Sequence, residues 1–120
     1  MSERDLLLLL EDITFSINHI FDYTQELSFE QYEQDQKTKD AVERNFMIIG
    51  EAVSRIPDDF KSQHEQIEWR IIKDFRNFII HEYFGINNMI VWDTIVLRLP
   101  DLQKDFQLLI QLLGKERSDS

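Results

Sequence analysis

The residues best suited to chemistry lie together in Arg76-Asn77-Phe78-Ile79-Ile80-His81-Glu82-Tyr83. A guanidinium is a permanent cation that grips phosphate through two parallel hydrogen bonds. An imidazole moves protons near neutral pH. Those two groups suffice to cut RNA without a metal. The 2′-hydroxyl is the internal nucleophile, His81 moves a proton, and Arg76 holds the phosphate and the charge that builds on it. Tyr83 orients the phosphate or offers a phenol for modification. A plainer reading also fits: Arg76 pairs with an acid, His81 bonds a helix-end carbonyl, and Tyr83 covers the core.

Helix geometry limits how these groups can meet. At about 100° per residue, Arg76 and Tyr83 differ by only about 20° and share a face two turns apart. His81 lies about 140° from Arg76. One regular helix therefore does not focus all three on a point. Either the helix loosens before Gly85, or two copies face each other so that arginine and histidine converge across a cleft.

Other chemistry is poorly supplied. The chain has no Cys, which removes disulfides, thiolate metal sites and a thiol nucleophile together. His19, His64 and His81 are too scattered for an obvious zinc site. Phosphate-cradling glycine loops, HExxH and calcium loops are missing. Glu11-Asp12 and Asp58-Asp59 read as solvated acids, His19 as a core or boundary residue, and His64 as plain surface. Neither metal nor cofactor is expected.

The elements that must carry the motif follow from composition and period. A chain of 120 residues fits one domain, and its hydrophobic fraction of 42% with nine Phe argues against disorder. Three Gly and two Pro leave too little turn material for a sandwich or barrel. The expectation is an all-α, up-and-down four-helix bundle with an additional short helix, over residues 1–114, followed by a frayed tail at 115–120. Leu6, Leu10, Ile13, Ile17 and Ile20 mark the first helix, which stops near Ser28, and Leu27 follows in the same register. Ser28-Phe29-Glu30-Gln31 is a capping-box pattern for a short helix to about Gln34.

Asp35 or Thr38 caps the next helix, with Val42, Phe46, Ile49, Val53 and Ile56 inward and Gly50 set where another backbone comes close. Residues 58–66 read as a loop with at most a turn of helix. The motif helix spans about Glu68 to Phe84, with Ile71, Ile72, Phe75, Phe78 and Ile79 inward and Gly85 as its stop. Asn87 or Asn88 restarts the chain. Ile90 to Leu99 is helical, with Trp92, Ile95, Val96 and Leu99 apolar, and Pro100 opens a further helix to Gly114 through Leu102, Phe106, Leu109 and Leu113. Each helix is apolar on more than a narrow seam, which points to self-association. The longest apolar run, Leu6 to Leu10, is too short to span a membrane or serve as a signal segment, so a cytoplasmic location is expected.

The net charge of −10 is uneven. Residues 1–36 hold nine acids and one base, whereas residues 37–85 hold nine acids and eight bases. A protein that holds nucleic acid by bulk electrostatics would be basic. An anionic substrate must instead be met by a few placed cations on the near-neutral middle segment.

The pattern Arg76-x4-His81-x-Tyr83 resembles the R-x4-H-x-Y motif of HEPN-superfamily ribonucleases. Asp40-Ala41-Val42-Glu43-Arg44-Asn45, Ile49-Gly50-Glu51-Ala52, Trp69-Arg70 and Val91-Trp92-Asp93 with Leu99-Pro100-Asp101-Leu102 resemble the HepT-like toxins within it, in order and register across about residues 5–113. The resemblance implies a homodimer or higher oligomer whose two motif helices line a shared cleft. It implies a metal-independent endoribonuclease toxin with RNA as substrate and an MntA-type minimal nucleotidyltransferase as antitoxin. Carried over by position, Arg76 and His81 are the catalytic pair, and Asn77 and Tyr83 support them. Tyr83 is the implied site of AMPylation. Gly50-Glu51-Ala52 packs a second helix on the motif helix, with Glu51 placed to orient Arg76. The alternative is a non-catalytic helical partner that binds a nucleotide or the antitoxin through the same residues.

Overall fold

The first three helices begin where a side chain takes up a free amide. The computed structural model describes the backbone of residues 1–83 and 88–119, and their side chains except at 78, 80–83 and 115–119. Helix α1 (Glu3–Thr24) is capped by Ser2, whose hydroxyl accepts the Asp5 amide. Its first-turn Glu3 and Asp5 suit the positive end of the helix dipole. The short α2 (Phe29–Gln34) has the expected capping box. The Ser28 hydroxyl accepts from the Gln31 amide at 3.2 Å, and the Gln31 side chain accepts from the Ser28 amide at 2.9 Å. Asp35 caps α3 (Gln36–Ser54), accepting from the Thr38 amide and, at 2.7 Å, from the Thr38 hydroxyl. Those bonds to Thr38, the hydroxyl's first, hold the Asp35 carboxyl below its ordinary range.

Pro57 precedes α4 (Asp58–Gln63), so most of the expected loop is a short helix. Its C-cap His64 is half-buried rather than plain surface. The ring packs on Phe60 at 4.4 Å, and the carbonyl accepts the Trp69 indole N–H. The motif helix α5 (Trp69–Tyr83) follows. The expected stop at Gly85 and the restart option at Asn87 lie outside the described residues.

Helices α6 (Asn88–Asp93) and α7 (Leu99–Asp119) are joined without a break by a π-turn at Thr94–Arg98. The expected new start at Pro100 is therefore one continuous helix. Proline has no amide hydrogen and crowds the carbonyl four residues back. A wider turn, closed by the Leu99 N–H donating to the Thr94 carbonyl, accommodates it. Thirty-two residues at 1.5 Å each make a rod of about 48 Å, matching the 50 Å long axis of the molecule. The helix runs past Gly114 to Asp119.

The four long elements pack in the order α7, α1, α3, α5, each against the next. Among the described residues no strand occurs. Leu10, Ile13, Ile17, Val42, Phe46, Ile72, Phe75, Leu99 and Phe106 are fully buried, one or more from every long helix. Phe46 meets Phe75 edge-on at 5.0 Å between α3 and α5, and Trp69 meets Phe106 edge-on at 5.8 Å between α5 and α7. Phe78 of the expected stripe lies outside the described side chains, and the other inward stripes are as expected, with three exceptions. Val91 is buried, Val96 points outward, and His19 is exposed with its ring beside Phe15 and Tyr23 rather than in the core. Among the described residues no helix is long and apolar enough to cross a membrane.

Candidate active site

The seam between α3 and α5 differs from an ordinary helix contact at one point. Gly50 is buried in α3, and the stem of Arg76 from α5 lies across it. A Cβ at position 50 would stand 2.5 Å from Cγ and 3.0 Å from Cδ of Arg76. What comes close to Gly50 is thus an arginine side chain, and not the backbone expected from sequence. A glycine inside a helix costs up to about 1 kcal/mol relative to alanine. Here the missing methyl makes room for the cation's aliphatic stem.

The next residue fixes the head of the same side chain. Glu51 Oε2 lies 3.3 Å from Arg76 Nη1. Its other oxygen lies 3.4 Å from Nη2 of Arg55, the C-cap residue of α3 one turn on. One carboxylate therefore bridges two guanidiniums. Both members of the Arg76–Glu51 pair are about half exposed, so the pair adds at most about 1 kcal/mol to stability. Its consequence is positional. It aims the guanidinium along the surface and leaves other N–H donors free for an anion.

Helix α5 remains α-helical through Tyr83. The first way of bringing arginine and histidine together, a loosening before Gly85, is not taken within those residues. By helix period, positions 76 and 81 of such a helix are about 140° apart and positions 76 and 83 about 20° apart. The side chains of His81 and Tyr83 lie outside the described residues. Asn77 is exposed next to Arg76. Of the five residues singled out from sequence, the fold brings Arg76 and Glu51 into contact.

Two further arginines belong to the same surface. A groove of about 380 Å³ between α1 and α3 is lined by Arg44, Arg55 and Arg76, with Asp12 and Glu51 as its acids. In a chain of net charge −10, that lining carries three cations against two anions. The motifs read from sequence assign no role to Arg44 or Arg55. The signal was available: Arg44, Ile48, Glu51 and Arg55 follow at steps of four, three and four, which is one face of a helix.

Comparisons with known proteins identify the family. A family model described as "Ribonuclease HepT-like" matches residues 13–109. A protein of Thermococcus cleftensis named "Probable ribonuclease HepT" is 42% identical over 100 residues, covering 83% of this chain and 91% of the relative. A "Putative RNase" of Methanocaldococcus jannaschii is 34% identical over 120 residues, covering 100% of this chain and 99% of its own. No solved structure matches the chain. The matched span contains the Gly50–Glu51–Arg76 seam and the whole of α5, and the chain belongs to the HepT-like ribonuclease family.

Proposed function

We propose that this protein is a metal-independent endoribonuclease, the toxin of a toxin–antitoxin pair, and that Arg76 and His81 form its catalytic pair across the cleft of a homodimer. The observation that carries the reading is the Arg76 guanidinium, seated over Gly50 and aimed by Glu51. A cation held this way is ready to meet a phosphodiester without reorganising. Family membership supports RNA as the substrate.

In this reading the 2′-oxygen of one nucleotide bonds to the adjacent phosphorus, and the bond from phosphorus to the 5′-oxygen breaks. His81 of one subunit, as the neutral imidazole, takes the 2′-hydroxyl proton, and His81 of the other, as the imidazolium, gives its proton to the leaving 5′-oxygen. The products are a 2′,3′-cyclic phosphate and a 5′-hydroxyl. Arg76 neutralises charge on the non-bridging oxygens as the phosphorane forms. Asn77 and Tyr83 support the phosphate. Because the nucleophile is part of the substrate, no metal-bound water is required.

Twofold pairing answers the angular problem, since His81 of one helix can face Arg76 of the other. Exposed Met89, Ile90, Val96 and Leu97 offer apolar area for that contact, on α6 beside α5 and on the π-turn after it. The proposed antitoxin is an MntA-type nucleotidyltransferase that modifies Tyr83. The phenol oxygen attacks the α-phosphorus of ATP, pyrophosphate leaves, and the phenol proton goes to solvent. The resulting phosphodiester on the Arg76 side of α5 would occupy the guanidinium and repel RNA.

The test is incubation of the purified chain with total RNA in EDTA, beside Arg76→Ala and His81→Ala. Cleavage lost in both variants is expected. Intact RNA with retained binding of ATP or of the antitoxin would favour the alternative of a non-catalytic nucleotide- or antitoxin-binding partner. For the modification, intact mass after incubation with antitoxin and ATP should rise by whole AMP units. Persistence of that rise in Tyr83→Phe would exclude the site.

A further inference from the structure

The arginine groove does not end at Arg44. A second groove, of about 480 Å³, continues along α1 and α3 and is lined by His19, Tyr23, Asp40, Arg44 and Asn45. The two share Arg44 and Ile48. Together they follow α3 from Arg55 back to Ala41, a distance of about 20 Å. The far end is aromatic. The His19 and Tyr23 rings stack with centroids 6.0 Å apart and planes 23° apart, and Phe15 continues the row 5.9 Å from His19. Tyr23 is 43% exposed within the groove, and Phe15, 66% exposed, stands beside the groove without lining it.

At the junction, Arg44 is exposed and has no ion pair among the described residues. Arg55 and Arg76, by contrast, share Glu51. Three acids line these grooves, Asp12 from α1 and Asp40 and Glu51 from α3, and Glu51 is taken up by Arg55 and Arg76.

We propose that the α1–α3 face is a binding track for single-stranded RNA leading to Arg76, with Arg44 as its phosphate anchor and the His19–Tyr23 row as its base-stacking end. The substrate class rests on the ribonuclease reading above. Cations that track a backbone, interleaved with rings on which unpaired bases stack, are the features that hold single strands. A duplex hides its base faces and could use only the arginines. Ile48 and Met47 give the track an apolar floor, against which a sugar or base edge can lie.

Fluorescence anisotropy of the His81→Ala chain with labelled single-stranded RNAs of about 4 and about 12 nucleotides tests this. The longer strand should bind more tightly. Tyr23→Ala and Arg44→Glu should each remove about tenfold of that gain. Arg44→Ala should lower the slope of log affinity against log salt by about 0.7, and Arg44→Lys should retain most of it. Both residues are exposed, and far-UV circular dichroism checks that each variant is folded.

A length gain that survives both substitutions overturns the track. So does a change of sedimentation in Arg44→Glu with RNA affinity intact, which would mean that a second copy covers this face. The two readings fail separately. Wild-type cleavage with KM unmoved by Arg44→Glu sinks the track and leaves the nuclease. RNA bound along the track but left intact sinks the nuclease and leaves the track.

Discussion

The seam between α1 and α7 and the seam between α3 and α5 are built from similar apolar stripes, yet they close differently. On the first, buried Leu10, Ile13 and Ile17 lie within the core, and the polar margin is a neutral amide pair, Gln103 to Asn18 at 2.6 Å. On the second, a glycine replaces a packing side chain and a charged stem fills the place, its head bonded to a carboxylate. The first arrangement holds the bundle together. The second gives up some helix propensity and packing to hold one cation at a chosen angle. Substitutions on the two seams should therefore separate stability from activity.

The sharpest contrast is between Ile13→Ala and Arg76→Ala. Ile13 is fully buried, and truncating it should cost about 2–5 kcal/mol in denaturant unfolding. Arg76→Ala should change unfolding by less than about 1 kcal/mol while reducing RNA cleavage by about 10²–10³-fold. Equal losses of stability in the two variants would erase the distinction.

Gly50→Ala comes next. The new methyl collides with Arg76 Cγ near the root of the side chain, so the arginine must leave its seat. Cleavage should fall about 10- to 100-fold, in line with the cost of misplacing a reacting group by about 1 Å. Thermal unfolding should move little, because better helix propensity offsets part of the strain. Full activity in this variant would mean that the seat has no catalytic purpose.

Gln103→Ala on the quiet seam should cost about 1 kcal/mol in unfolding through the orphaned Asn18 amide, with cleavage unchanged. A loss of cleavage there would show that the α1–α7 seam also supports the site.

The smallest effect concerns pH. Partial burial, with Asp101 and Glu68 nearby, raises the Asp105 carboxyl above its ordinary 3.8. A carboxyl with a raised pKa in the fold binds its proton more tightly there than in the unfolded chain. Stability therefore declines as pH rises from about 3.8 through the raised value, and the penalty is complete at neutrality. Asp105→Asn should raise Tm slightly at pH 7 and leave it unchanged near pH 3. Asp35 acts with the opposite sign. Its lowered carboxyl contributes stability above 3.8 that is lost on acidification, and Asp35→Asn should remove that part of the acid sensitivity.

Much of the bundle was readable because its causes are local. Ser28 and Gln31 are three residues apart, and so are Asp35 and Thr38. The stripe from Val42 to Ile56 needs only the period of a helix. The π-turn was not readable. Pro100 satisfies either a new helix start or a strained continuation, and packing of the Val91, Ile95 and Leu99 row favours the second. His19 lies outside the core because Ile17 and Ile20 take the buried face of α1, and the helix period leaves His19 on the outer face with Phe15 and Tyr23.

The site divides along the same line. Order and spacing along the chain already specified an all-helical protein, the caps that start its helices and the Arg76-to-Tyr83 segment, since each depends on residues within about two turns of one another. Packing of α3 against α5 decided the rest. It laid Arg76 over Gly50, twenty-six positions away, and brought Arg76 to Glu51 as a second arginine beside Arg55, while packing of α1 on α3 put Arg44 where two grooves meet. Helical periodicity ranks the faces of one helix, but only the buried contact between two helices sets which residues from each come within a bond's reach.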